Sequence, residues 1–311
     1  MKISNKIAVV IVFTMATLHI KAQQAPMYTH YMYNTMVVNP AYAGSRDALT
    51  VSALHRSQWV GFDGAPSTQT LTLHAPLNNE HIGLGLAVMN DKIGPVNFSS
   101  VTANFAYIMR VSRNAKLSLG LSAGANMLQA NLNKLTLDQQ NDPAFANNIN
   151  NKVSPDFGFG VYYSRERFYA GVSIPNLMET NYSNNNDGIK LAGKDQRHYF
   201  FIAGTMLKIS NTLSFKPTTL IKVTAGAPIQ ADVTGSFIIF DKLLLGAMYR
   251  TGDAAGALIG FDLTNQLHIG YSFDWSVGVS TAKYNQGSHE ILLRYDFMLK
   301  NKKQIHTPRY F

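Results

Sequence analysis

Nine histidines and 18 acidic residues, with no cysteine, set the chemical repertoire of this 311-residue chain. Their spacing builds no familiar reaction centre. No two histidines stand a helical turn apart, and no His-Glu-x-x-His run could hold a metal on one helix face. No Gly-x-Ser-x-Gly elbow lifts a serine for nucleophilic attack. GLGLAV (Gly83–Val88) and GFGVYY (Gly158–Tyr163) resemble phosphate loops only superficially. Each lies inside an alternating run with its glycines on the polar side, where a missing side chain relieves crowding or lets another stretch of backbone approach. The residues therefore predict a protein that is not an enzyme and has no cofactor and no metal site.

The inward strand face carries a mixed set of polar and charged residues. Asn104, Arg110, Lys116, Lys216, Lys222, Asp232, Arg250, Asp262, Asp274, Glu290, Arg294 and Asp296 all fall on the polar side of alternating segments. A ring of one sign would suggest an ion-selective pore, whereas mixed signs suggest a cross-linked interior or one that docks an internal segment. The opposite faces carry Phe105, Tyr107, Phe237, Tyr249, Phe261, Tyr271 and Trp275, suited to lipid contact and interfacial girdles.

The elements that position these residues read as strands. In Leu267–Val277 the odd positions are Leu, Ile, Tyr, Phe, Trp and Val, and the even ones His, Gly, Ser, Asp and Ser. Side chains alternate faces along a strand, so one face is wholly apolar and the other polar or small. Leu213–Val223 and Lys116–Met127 repeat the pattern. Alternation of this kind predicts fourteen strands between residues 48 and 299, with 97–112, 115–130, 155–164, 197–209 and 286–299 among them. Tight links such as Asn78-Asn79, Arg165-Glu166, Phe240-Asp241 and Thr264-Asn265 alternate with mostly longer ones, including 131–154 and 176–196. Short periplasmic turns and longer outer loops mark outer-membrane barrels. Strand runs of about twelve or more residues suit a tilted crossing of the bilayer better than a soluble sheet. The predicted fold is thus all-β, a transmembrane antiparallel β-barrel of about 14 strands. The strand phase puts both mature termini in the periplasm.

Composition agrees. Charged residues make up only 14% of the chain while 46% are hydrophobic, and mean hydropathy is −0.05. Soluble domains carry about 25% charge. Lys2 and Lys6, the apolar Ile7–Phe13 and Ile20-Lys21-Ala22 form a secretory signal peptide over 1–22. Its removal takes Lys and Arg from 27 to 24 against 18 acidic residues, lowering the net charge from +9 to +6. No nucleic-acid motif accompanies the excess. The expected location is the outer membrane.

Ahead of the barrel, residues 23–47 form a segment of their own. MYTHYMYNTMVV (Met27–Val38) is too aromatic and apolar for a free periplasmic tail, and it leads into Asn39-Pro40-Ala41-Tyr42-Ala43-Gly44. Pro40 bars a continuing helix and Gly44 permits a turn with positive φ. An N-terminal plug-like segment packed on the glycine-lined interior accounts for both features. At the other end, 300–311 is a periplasmic tail after the closing strand, with Pro308, Arg309, Tyr310 and Phe311 as a candidate partner-binding terminus.

The mature start with its Asn39–Gly44 bend, the block from Arg56-Ser57-Gln58-Trp59 to Pro66-Ser67, and GLGLAVMNDKIGP (Gly83–Pro95) resemble the PorP/SprF family of Bacteroidetes type IX secretion system membrane proteins. The resemblance implies an outer-membrane barrel that works with type IX components. Its partners would be secreted cargo proteins bearing a C-terminal secretion domain, gliding adhesins among them, and its task their secretion or surface anchoring. A plugged solute channel of the fatty-acid-transporter kind is the alternative; it requires a continuous apolar pocket or a lateral opening, whereas a cargo anchor requires exposed protein-binding loops.

Overall fold

Alternating sequence becomes a closed wall. The computed structural model describes residues 26–78, 80–134, 148–180, 196–277, 283 and 285–297. The expected signal peptide and the tail with Pro308–Phe311 lie outside them. A one-turn helix α1 (Thr35–Val38) and a 3₁₀ turn (Pro40–Tyr42) precede the strands. These are β1 (Leu49–Ser57), β2 (Ser67–Pro76), β3 (Ile82–Ile93), β4 (Val96–Ser112), β5 (Ala115–Ala130), β6 (Ile149–Arg165), β7 (Phe168–Ile174), β8 (His198–Thr205), β9 (Leu207–Lys208), β10 (Leu213–Thr224), β11 (Gln230–Ile239), β12 (Leu243–Arg250), β13 (Ala254–Asp262), β14 (Leu267–Ser276) and β15 (Ser288–Phe297). β9 is a two-residue continuation of β8 beside β10, so the wall has 14 staves. Every neighbouring pair is antiparallel, and β1 closes on β15 from Leu49↔Phe297 to Ser57↔His289.

Closure leaves the sheet without a free first or last strand, the condition for strands to span a bilayer. The outward face supplies the rest. Leu121 is 58% exposed and Phe105 41%, and Val101, Tyr107, Phe237, Ile259, Phe261 and Tyr271 are exposed beside them. Water would not tolerate an apolar band of this extent; lipid does. Among the described residues no helix is long and apolar enough to cross a membrane.

The tight link expected at Phe240-Asp241 is present, whereas the one read at Thr264-Asn265 is longer, with four residues between Asp262 and Leu267. Phe240 and Asp241 both have positive φ, 53° and 52°, and Lys242 N–H bonds the Ile239 carbonyl. That is the two-residue turn whose twist matches a hairpin. Another expectation fails in detail: β6 begins at Ile149, inside the stretch read as a loop over 131–154. Its first residues pair with β5 as far as Ala130↔Ile149, whereas β7 reaches only Phe159 on its other side. β4, β5 and β6 therefore rise higher than β7 at the loop end.

Candidate functional site

A barrel of about eight strands is filled by its own side chains, and a wider one is left with space inside. Here the N-terminal segment occupies that space. Tyr28, Tyr31, Met32, Met36, Ala41, Tyr42 and Ala43 form one core with the inward Leu54, Ile202, Leu220, Leu244, Leu258 and Leu292. The bend predicted at Asn39–Gly44 is present. The Asn39 carboxamide oxygen accepts from Ala41 N–H at 3.0 Å, capping the 3₁₀ turn, and its Nδ2 donates to the carbonyls of Val161 and Val172 at 3.1 and 3.4 Å.

Small residues let that turn lie against the wall. Pro76, Gly83, Ala106, Gly120, Gly160 and Ser173 are successive cross-strand partners from β2 to β7. A Cβ on Gly120 would run into the Ala41 backbone, one on Gly160 into the Asn39 side chain, and one on Gly83 into the Ala43 carbonyl. Ser173 Oγ donates to Val38 O at 2.6 Å at the end of the row. Gly44 has φ +69°, and a side chain there would meet Gly83. In GLGLAV and GFGVYY, Gly83 and Gly158 thus admit the backbone of Ala43 and Pro175, and Gly85 and Gly160 the side chains of Met36 and Asn39.

Charge holds the other side. Glu290 accepts from the backbone N–H groups of Thr29 and His30 at 2.9 and 2.7 Å and lies 2.8 Å from His30 Nδ1. Arg56 donates to Glu290 at 3.2 Å and to Asp274 at 2.7 Å, and Thr29 Oγ1 donates to Asp274 at 2.6 Å. Lower down, Arg46 forks onto Asp296 at 3.2 and 2.8 Å, and Thr50 Oγ1 donates to the same carboxylate at 2.7 Å. Both clusters straddle the closing seam, since Arg56 and Glu290 are direct cross-strand partners and so are Thr50 and Asp296. Elsewhere Arg250 forks onto Asp232, with both groups fully buried.

Lys216 Nζ and the Arg294 guanidinium lie 4.7 and 5.0 Å from the Tyr33 ring centre, a contact that favours buried cations.

Most predicted interior residues are where alternation put them. Asn104, Lys216, Lys222, Asp232, Arg250, Asp274, Glu290, Arg294 and Asp296 are buried. Arg110, Lys116 and Asp262 sit instead near the short turns, paired with Glu80, Asp47 and His268. Their parity is inward but their strands end there. Thr29, His30 and Arg46 were not singled out from sequence, and no periodic pattern marks them because they lie outside a strand. Arg56 was not singled out as an interior residue either, although its phase with the inward Thr50 and Ser52 is the signal that marks it. Among the described residues no cluster of His, Asp and Glu could hold a metal ion.

A closed antiparallel cylinder with a lipid-facing band and a filled, charge-bearing interior defines an outer-membrane β-barrel protein. The chain belongs to the PorP/SprF family of type IX secretion system membrane proteins, whose family model matches residues 20–295. No match is found among curated proteins. Solved structures similar to it include the CymD monoaromatic hydrocarbon channel (9% identity, 86% of this chain and 93% of that one covered, TM-score 0.49). A Pseudomonas aeruginosa FadL homologue is similar at 12% identity, covering 84% of this chain and 93% of that one, with a TM-score of 0.45. Omp33 of Acinetobacter baumannii matches at 9% identity, 82% and 100% coverage and a TM-score of 0.45.

Proposed function

We propose that this barrel supports secretion, surface anchoring or both of specific type IX cargo proteins, such as gliding adhesins, with its N-terminal segment acting as a plug. The protein would act by binding, without catalysis and without a cofactor. The observation that carries this role is the filled interior. The segment contacts strands all round the wall, and a cavity among the described residues, between Met36, Val37 and the β3–β6 side, has a volume of about 60 Å³. Its lining mixes Asn104, Asn126 and Asp156 with Met36, Val37, Ala87 and Met89, and it is far smaller than the continuous pocket a fatty-acid channel would need. A folded cargo cannot traverse such a lumen, so cargo would be gripped at the loops, the rim or the C-terminal tail, where Pro308–Phe311 is the proposed contact.

Quantitative proteomics of the cell surface and medium, with and without the gene, tests this. Selective loss from the surface, or release to the medium, of one or a few large proteins with C-terminal secretion domains is expected. An unchanged surface proteome would overturn the cargo role and favour a solute channel.

A further inference from the structure

The N-terminal segment has a direction. On β15, Glu290 near the loop end holds Thr29 and His30, whereas Asp296 near the short-turn end holds Arg46. Six residues of strand separate these carboxylates, about 20 Å at roughly 3.3 Å per residue. Other staves agree. On β14 the contacts run from Asp274 with Thr29, through Gly270 beside His30, to His268 with its ring against that of Tyr33. On β3 they run from Met89 with Tyr28, through Gly85 at Met36, to Gly83 at Ala43 and Gly44. On β2, Thr70 meets Asn34 and His74 meets Gly44. On β10, Thr218 meets Tyr31 and Lys216 meets Tyr33. Every one of these strands is read from loop end to short-turn end as the segment is read from Tyr28 to Arg46.

We infer that the segment crosses the barrel from its cell-surface mouth to its periplasmic mouth, so that the chain's amino-terminal side opens to the outside of the cell. The inference rests on the outer-membrane reading, in which short turns face the periplasm. Pro26, half-buried, stands at the outer mouth, and β1 begins at Leu49 on the opposite side. Strand parity alone placed the mature N-terminus in the periplasm; it fixes where β1 starts and does not register the return of the chain through the lumen. A peptide joined ahead of Pro26 would be displayed with the outer loops, open to extracellular partners.

The absence of cysteine makes single-cysteine reporters clean. Pro26→Cys, Asp63→Cys on the β1–β2 loop and Asn114→Cys on the β4–β5 turn are each treated with a membrane-impermeant maleimide, in intact cells and after outer-membrane permeabilisation. Heat-modifiable migration checks that each barrel is folded, and Ala25→Cys serves if Pro26→Cys is not. Pro26→Cys is expected to follow Asp63→Cys, reacting at least tenfold faster in intact cells than Asn114→Cys. Labelling that follows Asn114→Cys, or protection in both states, would overturn the path through the lumen. If Asp63→Cys and Asn114→Cys exchange behaviour, the orientation of the barrel fails, and surface exposure with it.

Discussion

Arg56 shows what the interior demands of one side chain. It is 1% exposed and bonds Asp274, Glu290 and Thr29, so its charge is compensated by protein groups alone. Removing one member of a buried ionic cluster strands the others, at a cost of about 3–5 kcal/mol. Arg56→Met is therefore expected to lower the temperature at which the barrel loses its compact electrophoretic migration, and Arg56→Lys less so, because an ammonium keeps the charge without the two-pronged fork. An Arg56→Met barrel as heat-resistant as the parent would refute the clamp. On the opposite wall the governing term is volume. Gly120→Val forces side-chain atoms into the Ala41 backbone, and overpacking of this kind costs about 1–3 kcal/mol or more. Protease sensitivity of the N-terminal segment should rise in that variant, while Leu121→Val, on the lipid face of the same strand, should leave it unchanged.

Strands report the solvent on each side of them. Where lipid meets one face and the interior the other, alternation is strong, and β5, β10 and β14 were legible from sequence almost to the residue. Where β6 emerges above the membrane, that pressure disappears. Asn150, Asn151 and Lys152 lie within β6 beside β5 but carry no apolar face, so the sequence reads as a loop. A charge tests the boundary. Arginine near the bilayer midplane costs a barrel about 2–4 kcal/mol, falling to roughly 0–1 near the interfaces. Phe105→Arg in the middle of β4 should sharply reduce the folded fraction in lipid vesicles. Val153→Arg, at a position 63% exposed in the upper part of β6, should fold like the parent; equal losses in both would mean that the upper part of β6 is immersed.

For the molecule as a whole, the filled interior predicts that the purified protein in planar bilayers conducts far less than an open barrel of the same strand number, and that Gly120→Val opens more often. A parent protein with a large steady conductance would show that the segment does not block the lumen. Part of this arrangement could be read in advance. The glycines on the polar faces and the Asn39–Gly44 bend pointed to close packing inside the wall. The direction of the segment and its Thr29–His30 anchor could not be read, because both depend on which strands meet at the closing seam. That seam has a consequence for assembly. Glu290 and Asp296 arrive on the last strand, and each binds both β1 and the N-terminal segment. A final strand that docked before the stretch from Thr29 to Arg46 was in place would leave both buried carboxylates short of half their partners. The order these clusters favour is therefore closure with the segment already inside, the oldest and newest residues of the chain meeting in the same two sites.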